Sequence, residues 1–209
     1  KKATSADNNN DGFRDSPTGE QLNILNRFQY TNLEKGLVGF FDFNYVFDER
    51  VYGENEYIDG IIFAENQNYW GGKTDSEILK INFKFGYVDP MITYRSLGLQ
   101  FAYTGIDMGS SFGFRNHDTK QTSIYSNLVY NSIIGDTRSK IKTGISLTYD
   151  EFDEFIFNNN PSLNNFEISR IEKSIGAYFE YNYDDLDKMN LSAGLRSVSY
   201  THLRAHETE

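Results

Sequence analysis

The sequence predicts an all-β chain, an antiparallel meander that forms part of a transmembrane β-barrel and supplies about eight strands of a larger barrel. Three observations predict this fold class. Aromatic residues suited to a pleated surface are abundant, with 15 Tyr and 17 Phe against 3 Pro. Apolar and polar residues alternate along many segments, as in a strand with two different faces. The connections between these segments alternate between short and long, as periplasmic turns and extracellular loops do in outer-membrane barrels.

The predicted strands are recognised by apolar residues at every second position, most of them odd-numbered. The clear segments are residues 37–47, 79–87, 97–103, 141–149 and 171–183. Alternation is less regular in residues 22–30 and 124–134, and a last segment begins at Asn190. A tilted strand needs about 9–11 residues to span the hydrocarbon of a membrane. The segment 37–47 meets that length.

The polar positions of these segments carry mainly Gly, Ser, Asn and Gln, which suits a water-filled or plugged barrel interior better than the surface of a soluble sandwich. We therefore predict that the odd-numbered apolar side chains face lipid and that their even-numbered neighbours face the lumen. Aromatic residues near the segment ends are expected to form girdles at the two membrane interfaces. These residues are Tyr30, Phe47, Tyr87, Tyr103, Tyr149 and Tyr183.

Composition and charge exclude other classes. No run of about 18 apolar residues exists, so the sequence excludes a transmembrane helix. The net charge of −10 argues against nucleic acid as a partner. There is no Cys, and His117 is the only His outside the last residues of the chain. The sequence is therefore short of the residues that form a catalytic nucleophile–base pair. We predict no catalytic residues and no enzyme activity.

The connections supply a candidate ligand surface. The predicted short connections are residues 31–36, 89–94, 135–139 and 184–188, and the predicted long ones are 49–73, 107–120 and 150–167. The long connections carry aromatic residues beside polar ones, which is typical of ligand surfaces. The alternative is that these side chains pack together and cover the barrel mouth. The predicted ligand-binding residues are Tyr69, Trp70, Phe112, Phe114, Arg115 and His117.

A candidate calcium loop lies near the start of the chain. Residues 7–15 read DNNNDGFRD and match the opening of the pattern D-x-[DN]-x-[DN]-G. Gly12 would allow the sharp turn, but Thr18 stands where an EF-hand has its bidentate Glu. The alternative is a turn rich in Asn, Asp and Gly that binds no metal. The predicted calcium ligands are Asp7, Asn9, Asp11, Phe13 through its carbonyl, and Asp15; no other cofactor is predicted.

The two ends divide the sequence into three parts. The chain begins at Lys1 without a secretory signal, which we interpret as a truncation. The stretch VSYTHLRAHET at residues 198–208 resembles the translation of a sequencing adapter, so we expect the biological chain to stop near Arg196 or Ser197. The spacing of His202 and His206 is therefore not interpreted as a metal site. Residues 1–19 are predicted to be an extracellular loop with the candidate calcium loop, 20–197 the partial barrel, and 198–209 an adapter-derived artefact.

Several segments resemble the central barrel of TonB-dependent receptors from Bacteroidota-type bacteria. They are DGFRDSPTGEQLNILNRFQY, YRSLGLQFAYT, FGFRNHDTKQTSIYSNLVYNSIIGDT, KTGISLTYDEFDE and GAYFEYNYDDLDKMNLSAGLR, and the resemblance covers nearly all of residues 7–196. It implies a barrel of about 22 strands with a plugged lumen in the bacterial outer membrane. It further implies a small scarce nutrient, such as siderophore-bound iron or cobalamin, as ligand. The implied partners are outer-membrane lipid and the TonB complex, the latter through a plug domain that this sequence does not contain.

Two other classes stay open at this point. A passive porin would share the barrel but not the energy-coupled transport. A soluble calcium-dependent β-sandwich binding module would instead pack the apolar faces of two sheets against each other. An outer-membrane phospholipase or protease is disfavoured because the sequence is short of His.

Overall fold

The computed structural model describes residues 2–3, 7–57, 69–113, 115–158 and 162–204. These residues form one antiparallel sheet in which every strand pairs with its neighbours in sequence. The predicted all-β meander is confirmed, with eight long strands and a two-residue β1. The strands are β1 Lys2–Ala3, β2 Thr18–Asn32, β3 Leu37–Gly53, β4 Gly71–Val88, β5 Ser96–Phe112, β6 Arg115–Ile134, β7 Asp136–Asn158, β8 Phe166–Asp184 and β9 Asn190–Arg204.

The sheet is open, because β2 and β9 do not pair with each other. The described residues contain no helix, and so none that is long and apolar enough to cross a membrane. Residues 198–204, which we interpret as adapter-derived, continue β9 and pair with β8 as far as Arg170 opposite Arg204. Backbone pairing at a sheet edge is open to many sequences, so it does not test that interpretation.

Each predicted short connection contains a turn at one end of the sheet, although residues 31–32 belong to β2, residues 136–139 to β7 and residue 184 to β8. The turns comprise residues 33–36, 89–95, 135 and 185–189. The first turn ends at Gly36, which has a φ of 66°, and Gly135 has a φ of 74°. Glycine suits both positions because a side chain disfavours this left-handed region of backbone space. We call this end of the sheet the short-turn end.

The predicted long connections are wrong in extent, because strands include most residues of 107–120 and 150–167 and also residues 49–53 and 71–73 of the first. The strand β3 continues to Gly53, and β5 and β6 are separated only by residues 113–114. The strict alternation of connection lengths is therefore wrong as well. The apolar alternation stops in these regions, but ladder hydrogen bonds come from backbone groups and need no apolar side chains. At the end of the sheet opposite the short turns, the strands therefore extend well past the apolar residues.

The strand register places most apolar side chains of the long strands on one face of the sheet, which we call the apolar face; Leu25, Phe40 and Val129 are among those on the opposite face. One row across this face is Phe28, Phe41, Phe83, Phe101, Ser126, Leu147, Ile175 and Ser199. The adjacent row on the opposite, polar face is Arg27, Asp42, Asn82, Ala102, Tyr125, Thr148, Ser174 and Tyr200. The six residues predicted for the aromatic girdles all lie on the apolar face.

The prediction that the apolar residues are odd-numbered holds for β3, β4, β5, β7, β8 and β9 but is wrong for β2 and β6. In β2, Phe28 lies opposite Phe41, and in β6, Leu128 lies opposite Leu99. The pairing in the adjoining hairpins links an even-numbered residue to an odd-numbered one. The apolar residues therefore stay on one face across the whole sheet, although they are even-numbered in β2 and β6 and odd-numbered in the other long strands.

The apolar face is the more exposed of the two. The described residues include no buried hydrophobic side chain, and Ile145, Leu147 and Ile175 are 49%, 48% and 52% exposed. Ser146 and Ser174, their neighbours on the polar face, are half-buried and are therefore less exposed than these apolar residues. A sandwich needs a second sheet against the apolar face, and the described residues form only one sheet.

Candidate functional site

Beyond the apolar residues, the strands continue as a mainly polar extension, which we call the projecting wall. It comprises residues 48–53, 71–78, 105–112, 115–123, 150–158 and 166–172. Most of the residues predicted to bind a ligand belong to this wall or adjoin it. Because alternate side chains of a strand point to opposite faces, the register decides which of them can meet.

Phe112 and Arg115 lie side by side on the polar face, at the end of the wall farthest from the short turns, which we call the top of the wall. They form the last residue pair of the β5–β6 hairpin, and Gly72 of β4 lies opposite Phe112 on the other side. Beyond Gly72 the row continues to Tyr52, whose ring centroid is 6.2 Å from that of Phe112. The ring of Phe112 is 48% exposed. The structure thus brings together two aromatic rings and a guanidinium group on one surface.

Tyr69 and Trp70 lie beside this row, just before β4 begins. The backbone N–H of Trp70 donates to a carboxylate oxygen of Glu54 at 3.0 Å, and the carbonyl of Trp70 accepts from the N–H of Glu54 at 2.9 Å. These bonds hold the backbone while the Trp70 side chain stays 56% exposed. A hydrogen bond to the carboxylate of Glu56 raises the pKa of Tyr69.

His117 takes part in a polar cluster one row below Arg115 on the same face. Its Nε2 contacts a carboxylate oxygen of Glu154 and lies 3.2 Å from Oγ1 of Thr119. Thr119 is only 7% exposed. The sequence reasoning missed Thr119 as a partner, although its i+2 spacing from His117 places both on one face of a strand.

The acidic residues of β7 are divided between the two faces. The predicted long connection at residues 150–167 is wrong over residues 150–158, which continue β7. Asp150 and Glu154 lie on the polar face with Ser123 and Thr119, whereas Glu151 and Asp153 lie on the apolar face. The hydroxyl of Ser123 donates to Asp150 at 2.5 Å. The predicted ligand residue Phe114 lies outside the described residues.

The candidate calcium loop is a compact turn packed on the end of β3. The carboxylate of Asp7 accepts the backbone N–H groups of Asp11 at 3.2 Å and Gly12 at 3.0 Å. The carboxylate of Asp15 accepts the backbone N–H and the side-chain amide of Asn8, both at 2.7 Å. Asp11 in turn accepts the N–H of Phe13 at 2.9 Å. The loop therefore satisfies these carboxylates with its own N–H groups.

The described residues contain no group of three acidic or His side chains that could hold a metal ion. The segment is fixed by Arg14, whose guanidinium donates to the carbonyls of Glu54, Asn55 and Tyr57 at 2.6, 2.9 and 3.1 Å. Calcium binding by Asp7, Asn9, Asp11, Phe13 and Asp15 stays a prediction.

Comparisons of the chain with protein-family models, with curated proteins and with solved structures found no match.

Proposed function

We propose that this chain forms part of the barrel of a TonB-dependent receptor in the bacterial outer membrane, which takes up a scarce nutrient such as siderophore-bound iron or cobalamin. The observation that carries the proposal is that the exposed face of a single sheet is the apolar one. Burying one large apolar side chain is favourable by about 1.5–3 kcal/mol. Lipid supplies that burial for a face that no second layer covers.

The height of the apolar face fits a membrane. In β3, the apolar face is uncharged from Leu37 to Phe47. About eleven residues at about 3.4 Å each, tilted by about 45°, rise roughly 25 Å, the height of the apolar band of outer-membrane barrels. On the same face, the charged residues Glu77 and Asp107 lie in the row of Phe47, at the end of this band, and Glu49 lies one row farther; all three belong to the projecting wall.

The open edges favour a larger barrel. In the described part of the chain, β2 has only Lys2 and Ala3 along its outer side, and β9 has no partner beyond β8. Backbone N–H and C=O groups cannot be left unpaired in lipid, so spanning sheets close into barrels. Additional strands of the same protein would satisfy these edges, as in the barrel of about 22 strands that the resemblance implies.

The receptor is preferred to a passive porin because of the projecting wall and the sequence resemblance. The wall places Phe112, Arg115 and His117 on the polar face, where a ligand entering the barrel would meet them. Aromatic and Arg side chains contribute much of the binding energy at recognition surfaces. In this proposal the energy for uptake comes from the TonB complex, acting through the plug domain.

The first experiment tests which face contacts lipid. The sequence contains no Cys, so Leu147→Cys and Ser146→Cys give single sites for a fluorescent label on neighbouring residues. The full-length protein is placed in bilayers that contain brominated lipids, which quench only fluorophores in contact with acyl chains. We expect strong quenching at position 147 and weak quenching at position 146. Equal quenching, or the reverse order, would overturn the membrane assignment.

The second experiment separates a receptor from a porin. Cells that express the full-length protein are given labelled cobalamin and a panel of labelled ferric siderophores, with and without a functional TonB complex. A receptor accumulates one of these nutrients only when TonB is functional. Accumulation that persists without TonB would identify a porin, and no accumulation of any of them would overturn the proposed nutrient class.

A further inference from the structure

Lys173 is an isolated charge on the apolar face. It lies opposite Tyr149, and the row continues through Ile124 to Tyr103. In the described strands, no other charged side chain occupies the apolar face between this row and the short-turn end. A lysine on such a face is costly near the centre of a bilayer and nearly neutral at its interface. Glu151 follows one row farther on the same face, so in β7 and β8 Lys173 lies at the end of the uncharged apolar stretch.

Within the described part of the chain, no salt bridge neutralises the ammonium group of Lys173. Its Nζ lies 5.3 Å from the centre of the Tyr149 ring, and it forms no ion pair with any described carboxylate. The carboxylate of Glu151, on the same face, accepts the hydroxyl of Tyr149 at 2.8 Å. Asp150 and Glu172, the sequence neighbours of Tyr149 and Lys173, lie on the polar face. An anion on the lipid side could therefore reach this lysine.

A groove leads from Lys173 towards the middle of the apolar face. Ser126 leaves a gap between Phe101 and Leu147, and Ile175 continues the same row. The groove has a volume of about 500 Å³ and is also lined by Ile124 and Tyr149, with Ser199 and Thr201 at its β9 side. The apolar walls and the lysine that carry the inference belong to β5–β8, and so do not depend on the origin of residues 198–204.

We propose that this groove binds one anionic lipid of the surrounding membrane, with a phosphate on Lys173 and an acyl chain along Ser126. The inference rests on the proposed membrane location of the sheet. An ammonium group and a phosphate attract each other strongly where water is scarce. The lysine is at the outer end of the groove and the apolar walls are deeper, which is the order of headgroup and acyl chain in a membrane leaflet. A free phosphate ion would leave the apolar groove unfilled.

The test compares two lipids at one labelled site. A fluorophore on Ser126→Cys in the full-length protein reports contact with brominated phosphatidylglycerol or brominated phosphatidylcholine in mixed bilayers. We expect phosphatidylglycerol to be preferred about fivefold, the ratio that one lysine near an anionic surface supplies. Lys173→Gln should remove the preference. Lys84→Gln, which removes a lysine from the polar face, should leave it unchanged.

A label on Phe83→Cys gives a control that needs no change at Lys173. Phe83 is in the same row as Ser126 but lies on β4, away from Lys173. We expect equal quenching by the two lipids at position 83. Equal quenching at position 126, or a preference that survives Lys173→Gln, would overturn the lipid site while the membrane assignment stands. Absence of quenching at both positions would overturn the membrane assignment itself.

Discussion

Gly72 of β4 lies directly opposite Phe112 of β5, and the Phe112 ring occupies the space that a side chain at Gly72 would need. A Cβ atom at position 72 would come within 2.4 Å of Cδ1 of Phe112 and 2.7 Å of the carbonyl oxygen of Ser111. Gly72 is buried at the top of the projecting wall. The aromatic surface of the wall therefore depends on a residue without a side chain.

Gly72→Ala is expected to destabilise the top of the wall by about 1–3 kcal/mol, because overpacking forces the ring and the backbone apart. Gly98→Ala is the matched control, since a Cβ there meets no atom within 4 Å. Thermal unfolding and limited proteolysis of the two variants check this expectation. Equal behaviour of the two variants would contradict the packing described for Phe112.

Replacing Phe112 or Arg115 with Ala is expected to weaken nutrient binding by about tenfold or more for each change, the usual effect of truncating a central aromatic or Arg contact. Phe155→Ala is the control, because Phe155 lies on the apolar face of the wall and packs with Phe157 at a centroid distance of 6.4 Å. Binding of the nutrient identified by the uptake assay is measured for all three variants. A larger loss for Phe155→Ala would place the ligand on the outer surface of the wall.

Arg138 links two turns at the short-turn end. Its guanidinium donates to Asp136 at 2.7 Å and to Asp185 at 3.3 Å. The hydrogen bonds from Arg138 lower the pKa of Asp136, so this contribution to stability is full above the ordinary Asp pKa of about 3.9. It is lost as the pH falls through the lower pKa of the folded state.

Arg138→Gln is therefore expected to lower the melting temperature slightly at neutral pH and to have no effect once Asp136 is protonated. The effect is small because both side chains are 51% exposed. Lys140→Gln is the control, since Lys140 interacts with the ring of Tyr94 rather than with a carboxylate. Melting curves between neutral pH and about pH 2 check the difference, and a pH-independent effect of Arg138→Gln would contradict the assigned cause.

Asp7→Ala is expected to release the loop at residues 7–15 from the end of β3. It removes acceptors for the N–H groups of Asp11 and Gly12 and for the side-chain amide of Asn55, which is 2.8 Å away. Proteolysis within residues 8–12 should accelerate in the variant without added calcium. If calcium also binds, millimolar calcium should slow proteolysis of the unmodified protein. No effect of calcium would contradict the predicted calcium ligands.

Much of the fold could be predicted from the sequence, because the alternation of apolar and polar side chains indicates which residues share a face of a strand. The segment at residues 37–47 and the turn at Gly135 are examples, since both follow from residue order alone. The site was predicted less well. The sequence predicts Phe112, Arg115 and His117 in a loop because their neighbours lack apolar alternation. The contact of His117 with Glu154 joins two strands, so it could not be predicted from the residues of one strand.

By itself, the sequence determined that the chain is a β-meander with one apolar and one polar face, because a period of two is a local property of neighbouring residues. Only the tertiary structure decided how far the strands extend and which rows they form. It placed Phe112 opposite Gly72. It also placed Lys173, the single charge of that part of the apolar face, one row beyond the row of Ser126. Backbone hydrogen bonds between strands fix the register, and a shift of one residue would move every side chain to the other face.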